Sequence, residues 1–233
     1  PGVDLPENEM WQVVETELID RDSYDHILDL GWTDFFKKIM QERILNDVPS
    51  EYLPPKRKSL NVQAEWHSHG IPVLSGGDVT TPIELLCGAR SLPKFAIDLI
   101  EIPDKVSAAM DMILPHLTKK AVRRAKKFGF PAVWIGGWRS APCLLSPAMW
   151  NRFVWPHIRK LVYEVTDSGL IALLHLDSDW TRELNRFREL PRGKCLMALD
   201  GDTDIFRAKK VLGDHMCLMG DVPASMLFYK SSQ

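Results

Sequence analysis

No apolar stretch in the sequence approaches the ~18 residues a membrane-crossing helix requires, and no charged-then-apolar leader opens the chain. A cytoplasmic protein without a membrane partner is expected. Cysteine is scarce and scattered: Cys87, Cys143, Cys195 and Cys217 include no CxxC pair, which fits free thiols in a reducing compartment better than a disulfide framework. Neither sign of charge is in excess. Twenty-nine basic side chains face 31 acidic ones, for a formal net charge of -2, so nothing suggests nucleic acid or an acidic membrane as partner. Neither GxGxxG nor GxxxxGK[ST] occurs, and Gly76-Gly77 and Gly136-Gly137 are too little to make a phosphate loop. Low-complexity tracts and repeats are absent, and the chain opens on Pro1-Gly2 without a Met, as a fragment or trimmed chain would.

What is present is ordinary globular composition, 45% hydrophobic and 26% charged, over 233 residues. That length suits one large domain, residues 1–233, with 1–70 a mostly helical lead-in. Helical spacing of Trp11, Val14 and Leu18, then of Phe35, Phe36 and Ile39, predicts helix over 7–46, broken at Asp20–Ser23 and at Gly31. Residues 49–58 read as a Pro and Lys/Arg connector, followed by helix through Val62 and Trp66 to His69. His67 and His69 are two apart and diverge on a helix, so they do not share a metal. Ile71–Val79 reads as a short strand entering a glycine loop, which would put Asp78 at a strand end. Thr80-Thr-Pro82 then starts a helix. The amphipathic run 104–127 ends in Lys119, Lys120, Arg123, Arg124, Lys126 and Lys127, a solvated face suited to a helix C-terminus. A strand over 131–137 leads to a helix that starts at Ser146-Pro147, bends at Pro156 and ends near Asp167. Further on come a helix over 178–189, a strand over 195–200, a helix over 203–212 and a strand over 215–221.

The organising stretch is Leu170-Ile-Ala-Leu-Leu-His-Leu-Asp177, an apolar run after Gly169 that reads as a buried parallel strand. Side chains on a strand repeat every two residues, so His175 and Asp177 share a face at the carboxyl end, where α/β folds place their chemistry. Such a pair can share a metal or a proton, or simply be a structural histidine bonded to its neighbour. Trp138 and Arg139 follow the preceding strand, and an aromatic wall beside a positive charge would suit an aromatic ring bearing a carboxylate. Trp138 capping the core is the plain alternative. Asp200, Asp202 and Asp221 lie at or after strand ends, as second partners of His175 or, for Asp202, as a helix cap. Cys217 falls inside its strand, as a small buried residue or a further metal ligand. Strand and helix alternate throughout, so the sheet should be parallel. Five strands are counted where a closed (β/α)8 barrel needs eight, which leaves an open doubly wound sheet as the alternative.

Ser146-Pro-Ala-Met-Trp-Asn-Arg-Phe-Val-Trp-Pro156, the strand ending in His175, Leu199-Asp200 followed by Asp204, and Gly213-Asp-His-Met-Cys-Leu-Met-Gly-Asp-Val-Pro223 together resemble the uroporphyrinogen decarboxylase superfamily. The resemblance spans about residues 72–228 and implies a TIM barrel that is incomplete at both ends in this chain. It also implies one of two activities. The decarboxylases grip a tetrapyrrole through an arginine-rich N-terminal motif that has no counterpart here, and they carry a Tyr where this chain has Glu84. The cobalamin-dependent methyltransferases hold zinc with a His-x-Cys pair and a later Cys. Here the pair is His175 and Asp177, and the later position falls beyond Gln233. Asp is a competent zinc ligand, and a harder one than Cys, which leans toward demethylation of a methoxylated compound. The expected activity is therefore zinc-assisted methyl transfer between a small methylated substrate and a corrinoid protein that carries the cobalamin. Catalysis would fall to His175, Asp177 and Asp200, metal binding to His175, Asp177 and Cys217, and substrate binding to Asp78, Glu84, Trp138, Arg139 and Asp221. Porphyrinogen decarboxylation in tetrapyrrole synthesis and a non-catalytic corrinoid-binding barrel are the alternatives.

Overall fold

A computed structural model describes residues 17–45, 62–223 and 226. The expected helix over 7–16 and the connector at 49–58 lie outside them. Five parallel strands, β1 (Ser75–Thr80), β2 (Ala132–Gly137), β3 (Ile171–Leu176), β4 (Cys195–Ala198) and β5 (Cys217–Met219), form one sheet in the order β1-β2-β3-β4-β5. Ahead of them come α1 (Ser23–Leu30), α2 (Trp32–Ile39), which continues into a π-helical turn over Met40–Leu45, and α3 (Val62–Ser68). Between the strands lie α4 (Pro82–Arg90), α5 (Leu92–Glu101), α6 (Pro103–Phe128), α7 (Pro147–Phe153), α8 (Trp155–Asp167) and α9 (Ile205–Leu212).

The strand order never reverses, and that decides between the two architectures. A doubly wound sheet switches direction and carries helices on both faces. In this sheet Val133, Ile135, Ala172, Leu174, Leu176, Met197 and Leu199 join one large core with residues of α6, α8 and α9. Among the described residues the opposite face holds only a small separate cluster of Ala132, Leu173 and Ala198, with Trp134 and Leu196 beside it. One face is packed under helices and the other is left for an interior, which is the layering of consecutive β/α units of a TIM-type barrel. The sheet is not closed. On its inner side Ile171 and Met219 remain 42% and 45% exposed.

Local chemistry explains the elements. In α6 the buried Val106, Met110, Ile113, Leu114, Ala121 and Ala125 recur at helical spacing, and Pro115 lies inside without ending the helix. The predicted glycine loop is instead part of β1: a Cβ at Gly77 would sit 2.7 Å from the carbonyl oxygen of Ala121, so glycine lets α6 lie directly on the strand. The single bent helix predicted after Ser146 is two helices that meet at Val154. Pro156 has no N–H for the turn before it and restarts the chain near the beginning of α8. Thr181–Glu189 is a 3-10 helix rather than an α-helix. Its buried Leu184 and Phe187, and Leu190 after it, recur every three residues, the period of that helix. Asp204, not Asp202, caps α9, accepting from the backbone N–H of Phe206 and Arg207.

A buried polar junction docks the helical lead-in. Arg90 Nε donates to Asp98 Oδ2 at 2.7 Å, Tyr24 donates its hydroxyl to the same oxygen at 3.0 Å, and Arg90 also pairs with Glu17. Burial, with the Asp98 charge beside it, pushes the Tyr24 phenol well above its ordinary range, so it stays a neutral donor. The backbone N–H groups of Leu18 and Ile19 close the junction on Ala89 C=O. Removing one member of such a set strands the other charge in the interior. Asp98→Ala should therefore lower stability by about 3–5 kcal/mol, read as a reduced midpoint in urea unfolding with an unchanged slope.

Candidate functional site

Of the polar residues predicted from sequence, the carboxyl ends of the strands bring together His175, Asp177 and Asp200. Paired residues of parallel strands face the same way, so the register Asp78↔Trp134↔Leu173 and Gly136↔His175↔Ala198↔Met219 defines one inner face. His175 stands on that face at the top of β3, its ring 5.7 Å from Trp134. Asp177 follows two residues later, and its Oδ1 lies 3.3 Å from His175 Nε2. Both side chains are partly open, 37% and 46% exposed. Desolvation raises the Asp177 carboxyl above its ordinary value; the neighbouring His175 pulls it down and Asp200 pushes it up again.

Two loops frame this pair. Asp177 N–H donates to Gly137 C=O, so the residues after β2 run directly beside it. There Trp138 is 48% exposed and Arg139 stacks on its ring at 3.8 Å. Glu84, from α4, is buried and spends both carboxylate oxygens on this loop, accepting Ser140 N–H at 2.6 Å and Arg139 N–H at 3.0 Å. A Cβ at Gly137 would approach Ser140 Oγ and Glu84 Oε1 to 2.7 and 2.9 Å, so only glycine admits the brace. The second loop is the turn after β3. Ser178 takes φ of 80° there, its N–H donates to Asp200 Oδ2 at 2.8 Å, and its Oγ lies 3.8 Å from the exposed Cys143 thiol.

Several predicted residues land elsewhere. Asp78 sits within β1 rather than at its end, exposed on an edge strand and paired with Arg124 at 3.3 Å, because Gly76-Gly77 extend the strand. Glu84 braces a loop from a buried position, with both carboxylate oxygens accepting backbone N–H groups. Asp200 uses Oδ2 on Ser178 and Oδ1 on Asp202 N–H, which makes it a clamp between loops. Cys217 is exposed, not buried, because β5 is the last strand of the described sheet. It also lies two strands across and one inward-facing position below His175. Asp221 follows β5, and its Oδ1 is shut from solvent with no hydrogen-bond partner among the described residues. Among those residues no three His, Cys, Asp or Glu side chains stand together as a metal-binding group.

Three contributors escaped sequence reading. Trp150 donates its indole N–H to Ser140 C=O, and Trp180 donates its own to Asp177 C=O, so two buried rings hold the two loops. Thr203, fully buried, bridges the turn after β3 and the loop after β4. A signal existed for Trp180 in its position three residues after Asp177, while a threonine in a loop offers none. The brace under Arg139 carries the next expectation. Glu84→Gln keeps the shape but replaces one acceptor by a donor facing a backbone N–H, so it should cost about 2 kcal/mol in chemical denaturation.

Comparison with known proteins bears on the fold and the family. No curated protein matches the sequence. Among solved structures, a methyltransferase from Methanosarcina mazei superposes with a TM-score of 0.53 at 17% sequence identity, covering 69% of this chain and 46% of the other. The chain thus spans about half the length of that protein, and the likeness is one of fold. No helix among the described residues is long and apolar enough to cross a membrane. The profile of uroporphyrinogen decarboxylase (URO-D) matches residues 37–233, most of the sequence, and the chain belongs to that family.

Proposed function

We propose that the chain carries the working rim of a methyltransferase, in which His175 and Asp177 hold a zinc ion and the methyl group passes between a small methoxylated substrate and a corrinoid on a partner protein. The observation that carries this is the 3.3 Å separation of His175 Nε2 and Asp177 Oδ1 at the strand ends. A charge-assisted N–H···O bond settles nearer 2.7–2.9 Å. Two donors about 2.0–2.2 Å from one tetrahedral zinc lie roughly 3.4 Å apart, so the spacing suits a shared metal better than a shared proton. Catalytic zinc takes three protein ligands, of which His175 and Asp177 would be two. When bound, zinc supplies Lewis acidity toward an ether oxygen.

The chain's own residues supply the rest. Trp138 offers a flat face to an aromatic ring, and Arg139, stacked on that indole, offers positive charge to a carboxylate on the ring. Glu84 and Trp150 hold both through the backbone of the same loop, so neither reorders when a ligand arrives. Decarboxylation of a porphyrinogen is the second reading, which the family name favours. Against it, the inward positions of the five strands hold no arginine, so the acidic arms of a tetrapyrrole would meet no counter-charge from the sheet.

Metal analysis of the intact protein should find about one zinc per chain. His175→Ala should lose it and slow methyl transfer by at least ~100-fold. A metal-free wild-type protein with full activity would sink the proposal. Arg139→Leu should raise the KM of a carboxylated methoxyarene roughly tenfold or more with little change in kcat, and leave the uncarboxylated analogue unaffected. Equal losses on both substrates would remove Arg139 from recognition.

A further inference from the structure

Asp177 stands two residues above His175 and past the last residue of β3; one bond, its N–H to Gly137 C=O, still ties it to β2, and the chain turns away directly after it. We propose that Thr203 is a positioning residue whose hydroxyl, with the Asp200 carboxylate, latches the turn after β3 and so aims Asp177 at His175. The proposal rests on reading that pair as the working site.

The turn needs holding because Ser178 occupies the left-handed region at φ 80°, which a residue with a side chain adopts only when its surroundings over-determine it. Glycine would rest there freely. The chain instead places a serine there and surrounds it with bonds from the next loop. Asp200 Oδ2 accepts Ser178 N–H at 2.8 Å. Thr203 Oγ1 donates to Ser178 C=O at 3.1 Å and accepts Trp180 N–H at 2.9 Å. The peptide groups before and after Ser178 are therefore both gripped. The Trp180 indole adds a donor to Asp177 C=O at 2.8 Å.

Thr203 is suited to this by chemistry as well as place. It is fully buried, and a hydroxyl is the one small side-chain group that donates and accepts at once. Valine has its shape and neither function, and serine keeps both. The outer partners of metal ligands commonly set affinity by fixing orientation, and the latch would do this for a carboxylate that only one bond, Asp177 N–H to Gly137 C=O, ties to the sheet.

The test uses the intact protein with two readouts, hydrogen exchange of the Ser178 amide and affinity for Zn²⁺ alone measured by chelator competition. Thr203→Val should speed exchange at Ser178, whose own partner Asp200 is untouched, by about tenfold. It should also weaken zinc binding by roughly 10–100-fold, and Thr203→Ser should restore both. In a Ser178→Gly background the turn no longer needs forcing, so Thr203→Val should there cost little of the zinc affinity. That background also serves if Thr203→Val alone fails to fold. Unchanged exchange and zinc affinity in Thr203→Val, or an equal zinc loss in both backgrounds, would overturn the latch. If the wild type binds no zinc, the metal reading fails instead, while the exchange result still decides the latch.

Discussion

Four buried rings beneath the carboxyl ends of the strands carry the geometry on which the site depends. Trp150 stacks on Trp155, and Trp180 and Phe187 meet them edge-on, with centroids 5.5–6.1 Å apart. Such pairs contribute about 0.5–1.5 kcal/mol each beyond the area they bury. Their direction matters more than that sum. An indole in a core needs a partner for its N–H, and here the partners are the carbonyls of Ser140 and Asp177, one in each loop that frames the candidate site. A hydrophobic cluster thereby positions two polar loops. Packing and site geometry are one constraint, since moving either ring breaks a loop bond as well as a contact.

The same economy appears in the sheet. Among the described residues helices cover the outer face, so that face reads as a continuous apolar core, and the inner face carries Trp134, His175 and, past the strand end, Asp177. A sheet covered on both sides would have buried His175 under a helix. Monotonic strand order is what keeps one side open, because right-handed crossovers between successive neighbours all lie on the same face. The position of the site thus follows from connectivity, before any functional residue is considered.

What the sequence made legible follows the reach of its periodicities. His175 and Asp177 were readable because a two-residue repeat governs β3 and its first step beyond, and Ser146 and Pro147 because helix starts have local chemistry. Asp78 was misplaced because two glycines look like a loop when their reason, the close approach of α6 to β1, is tertiary. The 3-10 helix at Thr181–Glu189 was legible in retrospect from Leu184, Phe187 and Leu190, a period of three overlooked in favour of 3.6. The bracing roles of Glu84 and Thr203 were beyond reach. Each acts on backbone groups far along the chain, Glu84 across 55 residues to Arg139 and Thr203 across 25 to Ser178, and no spacing rule links such partners.

The proposed zinc reading, in which Asp177 stands where the resemblance to the methyltransferases implies a thiolate, ties these observations together. A thiolate presents its donor one bond beyond Cβ, with a single torsion to set. A carboxylate presents its oxygens one bond further out and adds a second torsion that is broad rather than staggered. Each difference makes the aim of the side chain less certain at its own end and demands more of the backbone behind it. The turn after β3 meets that demand: Trp180 holds Asp177 C=O, Gly137 holds its N–H, and Asp200 and Thr203 grip the residue that follows. Freedom gained in the side chain is offset by constraint in the chain that bears it. On the proposed zinc reading, a harder donor at this position and a tightly bound turn beneath it are one adaptation rather than two.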